Sequence, residues 1–360
     1  MDKIYFLTGA FPPKTGGELY NYKLYNYLEK AGLEQEYIDL HQRKILRLSW
    51  IPVIGNLLVH LVLAFILYRC HGLIVEDYYF SRYLVLVNII QRYLKKSKVI
   101  IIVHHFDDYE SDAPLSLQKI ISKLKKQIIL GFADKIITVS EYTKKEIISL
   151  GVNPSSVLVI PPGLDRERLS SSNEVPSNNK TILCVAHCIP RKGLIYLIEA
   201  FSKVKKQGFT LHIVGKVNKK SQYYKKVINL IKVLGLTQDV FLYERLEQEE
   251  LNHLYVTSEV FILPSLKEGF GIVLLEAMYY GLPIVTTKIS AMPELIIDGE
   301  NGLLIPPADP IALAEAISKL IEKPDLRRQM GERGRQRVTD SYHWDVTSSK
   351  FLSVIQNIGE

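Results

Sequence analysis

Short runs of Val, Ile and Leu alternate along this chain with longer stretches whose apolar residues recur three and four positions apart. The runs read as strands buried on both faces, and the longer stretches as amphipathic helices laid over them. Up to residue 160 the predicted strands are Lys3–Thr8, Glu36–Leu40, Leu73–Val75, Val99–Val103, Lys135–Val139 and Val157–Ile160. After the first of them a Pro/Gly loop leads into a helix through Tyr20, Leu24, Tyr27 and Leu28, which Gly32 closes. Pro161–Lys180, with three prolines and a Ser/Asn cluster, breaks the rhythm and predicts a loop and linker. The alternation then restarts, with strands at Thr181–Val185, Thr210–Val214, Val240–Leu242, Val260–Leu263 and Pro283–Thr287. Helices are expected from Leu194 and over Tyr223–Gly235, Glu249–Val256, Ile311–Ile321 and Asp325–Val338. The whole predicts an α/β protein of two doubly wound, Rossmann-like parallel-sheet domains facing a cleft. The boundaries are read as 1–165, a linker at 166–180, 181–340, and a C-terminal helix over 341–360 returning to the N-terminal domain.

Composition agrees with a folded chain, at 47% hydrophobic and 23% charged over 360 residues, and excludes disordered and collagen-like classes. The three cysteines, Cys70, Cys184 and Cys188, are odd in number and form no disulfide framework, which favours a reducing, cytoplasmic setting. The net charge of +7 is concentrated early: 22 basic against 17 acidic residues through position 170, and 23 against 21 after it. The densest basic stretches, Arg92–Lys98 and Lys119–Lys126, read as solvated helix faces or as attraction for an anionic membrane surface. No nucleic-acid motif accompanies them, so nucleic acid is not an expected partner. Met1–Ile4 runs straight into a strand, so no secretory leader is expected. Leu48–Tyr68 is 21 residues without a formal charge, but it contains Pro52, Gly55 and Asn56. It reads as a core helix or a helix with one face on a membrane, rather than a span, which allows a peripheral place on the inner membrane face.

Three loops hold residues suited to chemistry. Phe11–Gly17 lies between the first strand and its helix, where Gly16 and Gly17 allow close backbone approach and a helix start favours an anion. A plain tight turn explains that pair equally well. Pro190–Gly193 takes the equivalent place in the second half, and its Arg191 and Lys192 suit a phosphate as fork and point charge. A surface pair of cations is the competing account. The strongest signal is Ser265–Glu276, which follows a strand and opens a helix. Gly269 and Gly271 leave N–H groups free at the helix start for a diphosphate. Glu268 and Glu276 beside such an anion must point elsewhere, most simply at sugar hydroxyls. Asp107–Asp112 is an acidic cluster read as metal binding, acceptor contact or a solvated loop.

The spacing Glu268-x7-Glu276 within EGFGIVLLEAMYYGLPIVTT resembles the signature of retaining glycosyltransferases of group 4 with the two-domain GT-B fold. The resemblance extends through TILCVAHCIPRKGLIYLIEAF, PELIIDGENGLLIPPAD and the Gly16-Gly17 loop. It implies transfer of a hexose-type sugar from a nucleotide-sugar donor to a saccharide or lipid-linked acceptor, with no cofactor and no obligatory metal. By the same resemblance Glu276 holds the donor ribose and Glu268 faces the transferred sugar. The amides of Gly16, Gly17, Gly269, Phe270, Gly271, Ile272 and Val273 contact the diphosphate, with Arg191 beside them. Lys192 neutralises the leaving group, and His104, at the end of VIIIV, stands beside the sugar, with His105 its neighbour.

Two departures from the family pattern stand out. Ala186-His187 replaces a usual Gly-Arg, and Glu244 replaces a glycine common after the fifth C-domain strand. His187 is expected to meet the diphosphate in its charged form, so that donor affinity falls as pH rises through neutrality, the rival reading being that Arg191 does the missing arginine's work and His187 merely packs. The alternatives are a non-catalytic donor-binding or partner subunit and a sugar-nucleotide epimerase, although the latter lacks the E-x7-E spacing.

Overall fold

The computed structural model describes residues 3–9, 13, 15–39, 59, 61–65, 72–81, 83–95, 97–106, 117–164, 169, 180–204 and 208–358. These fall into two compact units, one running through Gly163 and including Trp344–Ile358, the other spanning Leu164–His343.

The first unit is built on β1 (Ile4–Thr8), β2 (Gln35–Asp39), β3 (Leu73–Asp77), β4 (Lys98–Val103), β5 (Lys135–Thr138) and β6 (Val157–Val159). Among the described residues they form one parallel sheet in the order β2-β1-β3-β4-β5-β6. Its inner strands β1, β3 and β4 are almost wholly buried, with Ile4, Leu7, Val99, Ile100, Ile101 and Val103 at 0% exposure, as sheets covered on both faces require. Winding reverses between β1 and β3. The register sets Leu7 beside Glu76 and Asp77 beside Ile102, so the carboxyl ends of β1, β3 and β4 lie together.

Helix α1 (Gly16–Lys30) starts at Thr15, whose hydroxyl takes the Glu18 N–H at 3.2 Å, and buries Tyr20, Asn21, Leu24 and Leu28. Helix α2 (Leu117–Leu130) buries Ile129 and Leu130 at its end while Ile120, Ile121, Leu124 and Ile128 stay exposed.

The second unit comprises β7 (Thr181–Val185), β8 (Thr210–Val214), β9 (Val240–Tyr243), β10 (Val260–Leu263), β11 (Ile284–Thr287) and β12 (Gly302–Ile305). They make a parallel sheet in the order β12-β11-β10-β7-β8-β9, the doubly wound arrangement with its switch point between β7 and β10. Helices α3 (Gln248–Thr257) and α4 (Ile272–Tyr279) precede and follow β10.

Helix α5 (Trp344–Ile358) belongs to the first unit. Its Trp344 packs on Tyr20 at 5.8 Å, Phe351 on Phe6 at 6.2 Å, and Thr347 Oγ1 donates to Pro161 O at 2.8 Å.

The structure alters several boundaries read from the sequence. The second unit spans Leu164–His343, rather than the 181–340 read from the sequence, and within it Leu164 N–H donates to Tyr342 O at 3.0 Å. Strand β12 was not expected. It is short and led by Gly302, whose missing Cβ would stand 2.6 Å from Ile284 O, so its strand character comes from its neighbour. Glu244 follows β9, the third strand of this unit and an edge strand, not the fifth, and pairs with Lys219 at 3.3 Å on the surface. Asp107–Asp112, positions 165–168 and 170–179 of the linker, and most of Leu48–Tyr68 lie outside the described residues. Within the last, Val59, Leu63 and Ala64 are buried, whereas Leu61 and Phe65 are exposed. Among the described residues no helix is long and apolar enough to cross a membrane.

One buried group in the first sheet carries a pH dependence. Glu76 is 0% exposed, and burial pushes its carboxyl up to about 7, although hydrogen bonds from Asn88 and Ser81 act against the shift. Asn88 Nδ2 donates to Glu76 Oε2 at 3.2 Å, while Glu76 Oε1 and Asn88 Oδ1 have no partner among the described residues. A proton on Glu76 is the donor this acid–amide pair lacks. The unfolded carboxyl ionises near its ordinary 4.5 and the folded one only near 7, so stability declines as pH rises through that window. Glu76→Gln supplies a permanent donor. Thermal melts at pH 5 and pH 8 should show a higher Tm for the variant at pH 8 and a much smaller difference between the two pH values than in the parent chain.

Candidate active site

In the second unit the loops after β7 and β10 meet at the switch point. Pro190–Lys192 forms a single tight turn that ends at Gly193, with φ of +66°. A Cβ there would stand 2.1 Å from Pro264 O, so only glycine lets the first loop approach the second. Leu266 N–H then donates to Arg191 O at 2.7 Å and fastens them. Thr287 Oγ1 adds a bond to Ser265 O at 2.6 Å, and Thr286 Oγ1 one to Leu263 O at 2.7 Å, which tie β11 to the same loop.

The loops bring Lys192, Arg191 and Glu268 together. Lys192 Nζ is in direct contact with Glu268 Oε2, and both side chains are about nine-tenths buried, at 11% exposure each. Arg191 Nη1 lies 3.6 Å from Glu268 Oε1 and also donates to Lys267 O at 3.3 Å. Ser265 Oγ donates to Glu268 Oε2 at 3.3 Å. The sequence places Lys192 on a diphosphate and Glu268 on a sugar. In the ligand-free chain they serve each other, since a buried carboxylate without a cation is costly.

Helix α4 opens at Gly271, whose φ of +90° a side chain would strain, and no side chain caps it. The N–H groups of its first turn, including Ile272 and Val273, therefore point out of the helix start toward the switch point. Gly269 is buried and Phe270 packs against Tyr342 at 6.0 Å, so Phe270 offers a ligand its backbone rather than its ring. Glu276, about one turn into α4, accepts the Tyr255 hydroxyl at 2.8 Å. Tyr255 is itself buried and stacked on Tyr280 at 5.2 Å, and burial together with the Glu276 charge pushes its hydroxyl well above the ordinary range. That hydroxyl is thus a permanent donor that aims the carboxylate.

His187 follows β7 and accepts Lys216 N–H at Nδ1, at 3.1 Å. Burial lowers its pKa, Lys192, Arg191 and Lys216 lower it further, and Glu268 opposes them. In the ligand-free chain these effects disfavour the charged ring, whereas the expectation of a charged His187 concerns the chain with a diphosphate bound. Cations stand around the ring, and the ring offers Nε2–H as a neutral donor. Gly215 was another missed position: a Cβ on it would come 2.3 Å from Ala186 O, so its glycine seats the loop that carries His187.

In the first unit the corresponding region holds His104 after β4, with Gly16 exposed and Gly17 half-buried at the start of α1. A Cβ on Gly17 would stand 2.9 Å from His104 Cδ2, so glycine here makes room for the ring. Tyr20 meets the ring edge-on at 5.4 Å and donates its hydroxyl to Ile160 O at 2.8 Å. His104 Nε2 is 3.2 Å from Asn21 Oδ1 and 3.8 Å from Asp77 Oδ2. Burial lowers the His104 pKa, Asp77 raises it in part, and His105 adds to the lowering. Sequence reasoning missed Asn21, Asp77 and Tyr255. The first two had a visible signal: an Asn on the apolar stripe of α1, and an acid ending an apolar strand.

Among the described residues no group of three or more His, Cys, Asp or Glu side chains is placed to hold a metal ion. The chemistry on offer in the second unit is a pair of cations, a helix start and two oriented carboxylates. Such a set suits a phosphorylated ligand bearing hydroxyls. The first unit offers an imidazole whose charged form burial disfavours, held in a polar network.

Comparison with known proteins identifies the family. The model described as "Glycosyl transferases group 1" matches residues 165–337, and the one described as "Glycosyltransferase Family 4" matches residues 15–168. The chain is 30% identical over 225 residues to an MMP α-(1→4)-mannosyltransferase of Mycolicibacterium hassiacum, which is 62% of this chain and 54% of that protein. It is 26% identical over 242 residues to a GDP-mannose-dependent α-(1-6)-phosphatidylinositol monomannoside mannosyltransferase of Mycolicibacterium smegmatis, or 62% of each. The matched stretch thus spans between half and two thirds of these relatives. Among solved structures, sucrose-phosphate synthase of Thermosynechococcus elongatus superposes with a TM-score of 0.81 at 18% identity, covering 99% of both chains. HepE of Anabaena in complex with UDP-glucose does so with a TM-score of 0.79 at 21% identity, again over 99% of both. With two family models spanning residues 15–337 and the fold of these structures in both units, the chain belongs to the group 1 and family 4 glycosyltransferases of GT-B fold.

Proposed function

We propose that this chain moves a hexose-type sugar, with retention of configuration, from a nucleotide-sugar donor to a saccharide or lipid-linked acceptor. The observation that carries the reading is the switch point of the second unit, where Glu268 and Glu276 flank an uncapped helix start beside Lys192 and Arg191. In this reading the diphosphate takes the α4 amides and competes for Lys192, which releases Glu268 toward the sugar. Glu276, aimed by Tyr255, holds the ribose. His187 donates Nε2–H to the diphosphate, the amides of Gly16 and Gly17 contact it as well, and His104 serves the sugar side. Arg191 stays beside the released Glu268, and a carboxylate facing a cation is a weaker nucleophile, which supports front-side attack directed by the departing phosphate over a covalent intermediate. The relatives' names support mannosyl transfer from GDP-mannose and a phosphatidylinositol-type acceptor, and UDP-glucose in HepE is a second donor to test.

Charge on the leaving group is met in this proposal by Lys192, Arg191 and backbone amides, with no metal required. Nucleotide release from a panel of GDP- and UDP-sugars should identify the donor and persist in EDTA. Glu268→Gln should lower transfer about a hundredfold or more with nucleoside diphosphate binding nearly unchanged. Glu276→Gln should instead weaken that binding, and Tyr255→Phe should do so by about 1 kcal/mol, measured by calorimetry. Parent-like kcat and donor KM in both glutamine variants would place the chemistry elsewhere.

The proposal extends to a peripheral place on the cytoplasmic face of a membrane. Helix α2 supports it more directly than the uncharged run at Leu48–Tyr68. Ile120, Leu124 and Ile128 form an exposed line along α2, joined by Ile121, and Lys123 and Lys125 are exposed on the same helix. Co-sedimentation with vesicles rich in phosphatidylglycerol should be seen at low salt and lost at high salt. Reversing Lys123 and Lys125 to Glu should weaken it at least thirtyfold, at about 1 kcal/mol for each lysine lost. Absence of binding by the parent chain at low salt would favour a soluble acceptor.

A further inference from the structure

Asp77 and Asn21 are buried, at 8% and 1% exposure, at the carboxyl end of the first sheet, and neither belongs to the motif that marks the family. A buried carboxylate has to be met by donors. Asp77 Oδ1 accepts Tyr79 N–H at 2.9 Å, and Oδ2 accepts Asn21 Nδ2–H at 2.7 Å. An ionised carboxylate only accepts, so the end of the Asn21 amide that faces Asp77 has to be its NH2. The same nitrogen reaches Thr8 Oγ1 at 2.9 Å with its second hydrogen. The oxygen end of the amide is then the one that meets His104 Nε2, at 3.2 Å. An amide oxygen also only accepts, and Nε2 must therefore carry the imidazole hydrogen.

The packing of the ring agrees. Its Nε2–Cδ2 edge lies against the first turn of α1, where a Cβ on Gly17 would come within 2.9 Å of Cδ2 and 3.2 Å of Nε2. Nδ1 is on the opposite edge and has no hydrogen-bond partner among the described residues. Burial of the ring also opposes a second proton.

We infer that Asp77 and Asn21 are positioning residues that lock His104 in its Nε2–H tautomer, so that Nδ1 is presented as an acceptor to a hydroxyl of the bound sugar. Asp77 fixes the amide, the amide fixes the ring, and the ring then selects a hydroxyl donor. The hydroxyl rests on the glycosyltransferase reading; the lock does not, because it follows from the ligand-free chain alone.

The test is a long-range proton–nitrogen correlation spectrum of the full chain carrying 15N-histidine, recorded at neutral pH with no sugar nucleotide present. The His104 signals are identified by their loss in His104→Gln. The parent chain should show His104 protonated at Nε2 and bare at Nδ1. Asp77→Asn lets the Asn21 amide turn over, and should bring up the Nδ1–H form or a mixture. It should also lower kcat/KM for transfer about tenfold, the worth of one good hydrogen bond, with nucleoside diphosphate affinity unchanged. Asn21→Leu removes the acceptor and should lose the same preference, which gives a second reading should one variant fold poorly. An Nδ1–H ring in the parent chain overturns the inference, as does a folded Asp77→Asn that keeps the Nε2–H ring and full activity. An Nε2–H ring in a chain that releases nucleotide from no sugar donor would remove the sugar hydroxyl and leave the lock standing.

Discussion

Burying a carboxylate demands a counter-charge, and the second unit is organised around meeting that demand for Glu268. Its partners Lys192 and Arg191 come from the loop after β7, whereas Glu268 comes from the loop after β10. The strand order makes these two loops neighbours where the winding reverses, and Gly193 allows them to touch. Removing one member of such a group leaves an uncompensated charge, typically costing about 3–5 kcal/mol. The ion pair therefore holds both loops in place while keeping two cations at the mouth of the sheet. A phosphorylated ligand meets cations already arranged, with little reorganisation left to do.

Several neighbours depend on that arrangement. The uncapped start of α4 is useful only because the preceding loop is held still, by Thr287 from β11 as much as by the ion pair. Glu276 is turned by Tyr255, whose stack with Tyr280 leaves it no alternative orientation. Burial, reinforced by Lys192, Arg191 and Lys216, lowers the pKa of His187 and disfavours its charged form. An arginine at that position would carry a permanent charge. The histidine supplies a hydrogen-bond donor without adding to the local positive field.

The first unit solves a different problem with similar means. Its acid, Asp77, is met by neutral donors, a backbone N–H and the Asn21 amide, rather than by a lysine or arginine. The result is a polar network of fixed direction and modest charge. Fixed direction is what distinguishes one hydroxyl from another, whereas strong charge is what holds a phosphate. The two units thus differ in chemistry as much as in sequence, although each is a parallel sheet with one reversal of winding.

Local patterning alone determined much of this protein. Runs such as Val99–Val103, short and β-branched, read as strands buried on both sides, and the alternation of strands and helices leads to two parallel sheets without reference to any contact. Glu268-x7-Glu276 was legible because loop, glycine and helix start lie within a dozen residues, so their chemistry is a property of the segment. What tertiary structure decided lies at longer range. Lys192 and Glu268 are 76 positions apart, and Asn21 and Asp77 are 56 apart. Which strand lies beside which settles such pairings, and no period in the sequence records it. Strand β12 was missed for the same reason, since its character is borrowed from β11. The lowering of the His187 pKa likewise comes from burial first, and then from Lys192 and Arg191 on its own loop and Lys216 on the next. Periodicity reports how a segment meets its own surroundings; the partner of a buried polar group is chosen by the fold.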